Sequence, residues 1–523
     1  MTEALKDENT TWRMRGLDAW PAALPQGLEA PWQGWRDEPD FSEQDGAGNG
    51  WRLREAVRQV LVAQYEAAGM DARALRPLDD PRCRVVTVGH QLVMAGGPAF
   101  VHHKVLSAVR TARALAKRHG VPVVPVFWLA SEDHDFDEVA TVWGRSKAHS
   151  WRRPEGCHGA VGRMPLDGVG DVLTSWGSDG VHPEESSALC ALFRGGQDAS
   201  LAAWTRRMLH AWYGPHGLVI LDADHPELKR LAHPLWVAEM EGTGVAHALR
   251  TSGDRGATGP VHVRDNQLFW LEGPQRRVGM VPREQGGWKA GDAEFVASDW
   301  ESWAEAHAAS CSPGVLLRPL YQEWLLASVA VIVGPGEWAY WHQLPTAFAH
   351  HNLAFPALRL RDHAVVVPPR AEALGWDTSH GWLHREAWER WVLDRWMQDH
   401  EANLDAVRAH LAKAVLEARA MGDAISPQLT GPTGALEAGL DKAWSQWQKK
   451  ARRALKESRG DAWRASGEAG EWLVRQGLPQ DRWANWHVLA HSLAGASGRE
   501  WIEAWLAAPN DELGACVWQV TPR

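Results

Sequence analysis

Three stretches of the chain carry the residue types that chemistry needs. The first is Gly89-His90-Gln91, followed by Gly96-Gly97-Pro98 and His102-His103-Lys104. Glycines let a backbone approach a ligand closely. A helix starting just after them offers free N–H groups and the positive end of its dipole. His103 and Lys104, in its first turn, add donors and positive charge. Together these suit a phosphate or a carboxylate, although a plain glycine turn with surface His and Lys has the same pattern. Gly-Lys-Ser/Thr is absent, so this is not a Walker A loop.

The second stretch is Ser131-Glu132-Asp133-His134-Asp135-Phe136-Asp137-Glu138, five carboxylates and a histidine behind an apolar run. Such a cluster could bind a metal, orient an amine or move a proton. A helix cap on a solvated acidic turn would use the same residues. His-Glu-x-x-His is absent, which gives a zincin no support. The third is Arg318-Pro319-Leu320-Tyr321-Gln322-Glu323 with Gly334-Pro335-Gly336-Glu337. Arg318 could hold an anion bidentately, and the glycine–proline turn sets up another helix start. Ordinary capping explains that turn equally well. Asp222 and Asp224 close a further apolar run, Gly217 to Leu221.

Residues 84–88 and 122–129 are short apolar, β-branched runs, and residues 99–119 between them have helical periodicity closed by Gly120. Strand, loop, helix and strand in this order make a βαβ unit with parallel strands. Ligands of such sheets bind beyond the carboxyl ends of the strands, where the first two stretches stand. Further helices are predicted over 52–68, 201–213, 321–333 and 337–350, with β-ribbons over 260–282 around Asp265-Asn266 and a short strand over 364–367. The first ~50 residues read as irregular, with Asp45 to Gly50 a helix-entry loop, since no strand precedes those glycines. Leu404 to Met421 and Leu436 to Ala454 repeat apolar residues in steps of three and four around a turn at Ser426 to Gly434. That predicts an antiparallel helical hairpin, able to dimerise or to pack on its own core. Short helices follow over 463–476, 483–493 and 499–508.

The chain has 523 residues, a net charge of -10, 45% hydrophobic and 23% charged residues, a globular composition that excludes general disorder. The acidic balance argues against a dedicated nucleic-acid binder. No apolar run approaches the ~20 residues of a membrane span, and no secretory leader is recognisable. Five scattered cysteines without Cys-x-x-Cys fit a reducing cytoplasm and offer no zinc site. The 33 tryptophans are read as packing residues rather than ligand-stacking ones.

These stretches together resemble the bacillithiol biosynthesis cysteine-adding enzyme family, the cysteine ligases. The most specific pieces are GHQLVMAGGPAFVHHK (89–104), PVFWLASEDHDFDEV (125–139), GLVILDAD (217–224), and LRPLYQEWLL with GPGEWAYW (317–341). The likeness covers most of the chain from about residue 80. Where the family has Gly-Gln-Gln this chain has Gly89-His90-Gln91, which removes an amide. Where it has Thr-Gly-Pro this chain has Gly96-Gly97-Pro98, which removes a hydroxyl.

The resemblance implies an α/β fold: a Rossmann-like nucleotidyltransferase core with connecting insertions (1–375), an α-helical antiparallel coiled-coil dimerisation domain (376–460), and a C-terminal helical segment packing back on both (461–523). It implies ATP-dependent addition of cysteine, through cysteinyl-adenylate, to the amine of glucosaminyl-malate, with Mg2+ accompanying ATP, in a cytoplasmic homodimer with no nucleic-acid or membrane partner. His103, Lys104, Asp133, His134 and Asp135 are the expected catalytic residues. Gly89, His90, Gln91, Gly97, Pro98, Glu132, Arg318 and Gln322 are expected at the substrates, and Gly96, Gly334, Gly336 and Glu337 at ATP. Replacing His103 or Asp133 by Ala is expected to abolish turnover with little loss of fold. A metal-dependent hydrolase built on Glu132 to Glu138, and a non-catalytic coiled-coil assembly protein, are the alternative readings.

Overall fold

The computed structural model describes residues 12–17, 35–36, 39–41, 53–196, 198–251, 259–377, 380, 383–507 and 517–522. The loop read at Asp45 to Gly50 lies outside them. At the centre is a six-stranded sheet of β1 (Trp35–Arg36), β2 (Arg84–His90), β3 (Val123–Leu129), β4 (Val219–Asp222), β5 (Ala330–Val333) and β6 (Ala357–Leu360), in the order β1-β6-β5-β2-β3-β4. All neighbours are parallel except β1, which runs antiparallel to β6.

Parallel strands are covered on both faces, so they read as near-continuous apolar runs. Alternation still sorts their side chains. Val86, Val88, Phe127, Leu129, Ile220 and Ile332 enter one core, with α2 (Ala99–His119) and the helix Leu201–Tyr213 above them. Val85, Val126, Trp128, Leu221, Val331 and Leu358 enter the other, against α1 (Arg54–Ala67) and the helices that follow β4. The tryptophans serve mainly as packing: Trp128, Trp176, Trp204, Trp236, Trp486 and Trp505 are among the largest fully buried side chains.

The structure departs from the expected helix over 321–333. Helix α3 (Arg318–Leu326) stops early, Ala327 takes the left-handed conformation (φ 43), and Ala330–Val333 becomes β5. The β-branched Val331, Ile332 and Val333 fit a slot between β2 and β6, and that tertiary slot overrides the helical periodicity. The expected helix over 337–350 is likewise two, α4 (Pro335–Trp341) and Pro345–His350, because Pro345 cannot continue a helix. Strand β6 was not foreseen at all, nor were the strands Trp12–Leu17 and β1 in the supposedly irregular first fifty residues. The ribbon at Leu268–Glu272 and Arg276–Gly279 turns at residues 273–275, not at Asp265-Asn266. With β5 beside β2, the chain leaves β2 toward β3 on one side and β5 toward β6 on the other. The sheet therefore reverses its winding between β2 and β5, the crevice where such folds bind ligands.

Helices α5 (Glu401–Ile425) and α6 (Thr430–Ser458) form the expected hairpin, with a tighter turn than foreseen because Gly431 and Pro432 already lie in the first turn of α6. Little of the pair is buried. Arg419–Glu437 ties its two helices at 2.6 Å, and a separate small core with Trp376, Trp388, Trp396 and Leu473 anchors its base. After Gly460–Leu473, a two-stranded ribbon around Gln476-Gly477 replaces the expected end of the helix, and Trp486–Ala494 and Gly498–Ala507 return to pack on α2. Strand Val517–Pro522 lies between Trp12–Leu17, antiparallel, and His363–Val366, parallel. Cys83, Cys157, Cys190 and Cys311 are free thiols. Among the described residues no helix is long and apolar enough to cross a membrane.

Ala327 holds a conformation that suits glycine, with its N–H closing the end of α3 on the Glu323 carbonyl at 3.0 Å. Ala327→Gly is therefore expected to stabilise the fold by about 0.5–1 kcal/mol, read as a higher urea midpoint at unchanged slope.

Candidate functional site

A cleft of about 270 Å3 opens beyond the carboxyl ends of β2, β3, β5 and β6. Its base is the Gly89 backbone and Trp128. On one side Lys104, 3% exposed, reaches back from α2, donates to the Gly89 carbonyl and pairs with Glu337. Burial pushes the Lys104 ammonium below its ordinary pKa, and the Glu337 carboxylate opposes that shift. Glu337 also accepts the Gly334 N–H at 2.7 Å. One carboxylate thus ties the loop after β5 to Lys104, and through Lys104 to the end of β2.

On the other side stand Arg318 and Gln322 of α3. Arg318 donates to Asp133 Oδ2 at 2.8 Å. Gln322 donates to Glu323 at 2.7 Å, and the other Glu323 oxygen accepts the Ser328 N–H at 2.7 Å. Burial pushes the Glu323 carboxyl up to about 7. Arg277, from the ribbon, approaches Asp133 at 3.6 Å, donates to Ser312 at 2.9 Å and to the Pro313 carbonyl at 2.8 Å. Burial lowers its guanidinium to about 10, against the pull of Asp133. Burial disfavours the Asp133 charge too, but Arg318, the His134 hydrogen bonds and Arg277 outweigh it and hold that carboxyl far below the carboxylate range.

The remaining wall is His90, Phe100, Glu138, Arg361 and Arg482. Burial, then Lys104, lowers His90 to about 3, so its imidazole is neutral. Burial, then Asp135 and Asp133, raises Glu138, which keeps its side chain 44% exposed, 3.9 Å from His90. Beneath the acidic run lies a buried row of charges. Glu132, fully buried, faces Lys229 at 3.4 Å, and Lys229 and Arg163 both pair with Asp224. Ser131 donates to Asp222.

Of the residues expected at the site, Gly89, His90, Gln91, Lys104, Arg318, Gln322, Gly334, Gly336 and Glu337 line this cleft together. His103 does not. It points into the core, 1% exposed, stacked on Trp505 with ring centroids 4.7 Å apart, so its replacement by Ala would open a cavity in the core. Gly96, Gly97 and Pro98 also face elsewhere. Asn485 donates to the Ala95 and Gly97 carbonyls at 3.0 and 2.8 Å, and the Ala99 N–H is taken by the Ala484 carbonyl at 2.8 Å. A Cβ at Gly97 would meet Val93 at 2.6 Å, and one at Gly96 would meet His102 at 2.7 Å. These glycines serve packing, not the approach of a phosphate. Likewise the Gly334 N–H, expected for ATP, is occupied by Glu337. Glu132, Asp133, His134 and Asp135 sit behind the cleft: Asp135 caps the helix Phe136–Ala140, and His134 meets Arg277 at 3.0 Å.

Sequence reasoning missed Trp128, Arg277, Arg361, Arg482 and Lys229. Arg361 could have been found, since it follows a strand end just as Gln91 and Gly334 do, had ALRL been read as a strand. Arg277, Lys229 and Arg482 carry no local signal, because only the tertiary fold brings them here.

The cleft is rich in donors. Among its buried polar atoms Trp128 Nε1, Arg318 Nε and Arg361 Nε have no partner, against one acceptor, Gln91 Oε1. Buried donors need acceptors, so the arrangement suits a ligand with anionic oxygens, and Glu138 is the carboxylate placed to take up a proton. Among the described residues no group of three His, Cys, Asp or Glu side chains is arranged to hold a metal ion. Of the acidic run, Glu132 faces a lysine, Asp133 two arginines, and Asp135 caps a helix.

A family model described as "Bacillithiol biosynthesis BshC, N-terminal Rossmann-like domain" matches residues 32–362. A Flavobacterium psychrophilum protein is 29% identical over 331 residues, 61% of each chain. A Cytophaga hutchinsonii protein is 31% identical over 315 residues, 58% of each. A Shouchella clausii protein is 26% identical over 486 residues, 86% of this chain and 87% of that one. All three bear the name "Putative cysteine ligase BshC". The chain spans about six-tenths of the length of the first two.

Glu323 gives a pH test of the support behind Gln322. Its folded pKa, about 7, lies above the ordinary 4.5. Its contribution to stability is therefore full below about pH 4.5 and is lost as pH rises toward 7, by up to about 1.4 kcal/mol per pH unit. Glu323→Gln removes that titration. Urea unfolding at pH 5, 6, 7 and 8 should show the variant gaining on the wild type up to about pH 7 and holding a constant difference above it.

Proposed function

The chain belongs to the bacillithiol biosynthesis BshC family, and from that we propose that it is a cysteine ligase, joining cysteine to the amine of glucosaminyl-malate at the expense of ATP. The observation that carries the reading is the donor-rich cleft at the β2/β5 switch point, lined, Arg482 apart, by residues that the family model matches. Three orphaned donors, on Trp128, Arg318 and Arg361, with Lys104 beside them, suit carboxylate and phosphate oxygens. ATP supplies the activation of the cysteine carboxylate, with release of pyrophosphate. Lys104, dry and fixed by Glu337, stabilises negative charge on the transferring group. Arg318, oriented by Asp133, holds a substrate carboxylate.

Glu138 accepts the proton that the attacking amine loses as the C–N bond forms and the acyl–phosphate bond of cysteinyl-adenylate breaks, with AMP leaving. Of the acidic run it alone faces the cleft, and its raised pKa suits a base. Asp133 and Glu132 then act through the arginines and Lys229, not on the substrate. We place the enzyme in a reducing cytoplasm as a homodimer. The apolar groove of about 720 Å3 along the hairpin, with Leu404, Val407, Leu411, Leu440 and Trp447, is the proposed face for the second copy.

Mass spectrometry of protein, cysteine, glucosaminyl-malate and ATP tests the reading. A product heavier by one cysteinyl residue, formed only with ATP, is expected. Its absence, together with no cysteine-dependent exchange of pyrophosphate into ATP, overturns it. Glu138→Gln should lower kcat by roughly 10²–10⁴ with an unchanged melting temperature. Val407→Lys should shift sedimentation from dimer to monomer, and a monomeric wild type would remove the hairpin from the dimer reading.

A further inference from the structure

Arg361 and Arg482 come to the cleft from different parts of the chain. Arg361 follows β6, and Arg482 belongs to Gln480–Trp483, beyond the matched 32–362. Their guanidinium carbons lie 5.4 and 4.9 Å from the centroid of one ring, Phe100, which is also in the cleft wall. Arg361 is 1% exposed. Its Nη2 donates to Asp481 at 2.8 Å and its Nη1 to the Asp362 carbonyl at 3.2 Å, while Nε, buried, has no partner. Arg482 is exposed at the mouth, and among the described residues no carboxylate lies within ion-pair distance of it. One guanidinium is thus locked with a donor to spare, and the other is free to close on whatever enters. Two cations beside one ring repel each other, and an anion between them relieves that repulsion.

We propose that Arg361 and Arg482 form an anion subsite that takes the carboxylates of the acceptor, with Asp481 as the positioning residue that locks Arg361. The inference rests on the ligase reading and deepens it, because the acceptor proposed there bears a dicarboxylate. It also makes the C-terminal segment part of the site: Asp481 and Arg482, adjacent in sequence, supply the lock and the second cation. Without that segment the cleft keeps its Lys104 side and loses this wall.

The test uses the full chain. L-Malate, as the dicarboxylate probe, and ATP, as the phosphate probe, are titrated calorimetrically into wild type, Arg482→Ala and Asp481→Asn. Arg482→Ala removes an exposed side chain without an ion pair, so the fold stays intact. It should weaken malate roughly tenfold, the loss of one charge-assisted contact, and leave ATP unchanged. Asp481→Asn should weaken malate similarly and, in the ligation assay, raise KM for glucosaminyl-malate while kcat holds, a split that a merely structural role would not give. Loss of ATP affinity with malate unaffected would reassign the pair to phosphate and overturn the carboxylate assignment. Equal malate affinity in all three proteins, or none in the wild type, overturns it as well. If malate binding follows the arginines but no ligation occurs, the subsite stands and the ligase reading falls. Ligation with malate affinity indifferent to Arg482 gives the reverse.

Discussion

A buried ammonium cannot stand alone. Lys104 is taken almost wholly out of water, and the several kcal/mol of desolvation that this costs must be offset by fixed partners. The Gly89 carbonyl and Glu337 provide them. Because Glu337 also takes the Gly334 amide, the end of β2 and the loop after β5 are pinned to the same charge. The cleft between them therefore has a preset shape. The same rule holds at the other wall and beneath it: Asp133 matches Arg318 and Arg277, Asp481 matches Arg361, and below them Asp224 matches Lys229 and Arg163. The cleft is walled by cations, of which Lys104, Arg318 and Arg361 are each held by a carboxylate, while Arg482 at the mouth is not.

This arrangement explains why the acidic run misleads when read alone. In sequence Glu132 to Glu138 look like a reactive cluster. In the fold only Glu138 meets the cleft; Glu132 and Asp133 face a lysine and arginines supplied from elsewhere in the chain, and Asp135 caps a helix. Carboxylates behind cations leave the cations forward, so the chemistry of the cleft is the inverse of the composition of the motif.

Much of the fold was legible because parallel strands announce themselves as apolar runs and α2 as a periodic one. The failures have a common cause. AVIV could be helix or strand by local pattern, and only the vacancy between β2 and β6 decides it. With β5 unread, the switch point could not be located, and the residues on its far side, Arg361 above all, had no reason to stand out. Lys104 and Arg318 were legible because their motifs flank strand ends. His103 was misplaced for a geometric reason: on a helix, successive residues point about 100° apart, so if Lys104 faces the cleft its neighbour faces the core, here Trp505.

The small sheet away from the site has its own consequence. Strand Val517–Pro522 joins Trp12–Leu17 to His363–Val366, pairing segments roughly 500 residues apart. During synthesis, at roughly 5–20 residues per second, Trp12–Leu17 waits on the order of a minute for its partner. The Rossmann core can assemble in that interval, since its strands lie far closer together in sequence. The three-stranded sheet can only close afterwards, as a clasp over a core already folded. Until Val517–Pro522 is made, the edges of Trp12–Leu17 and His363–Val366 that it pairs in the folded chain have no strand to take them.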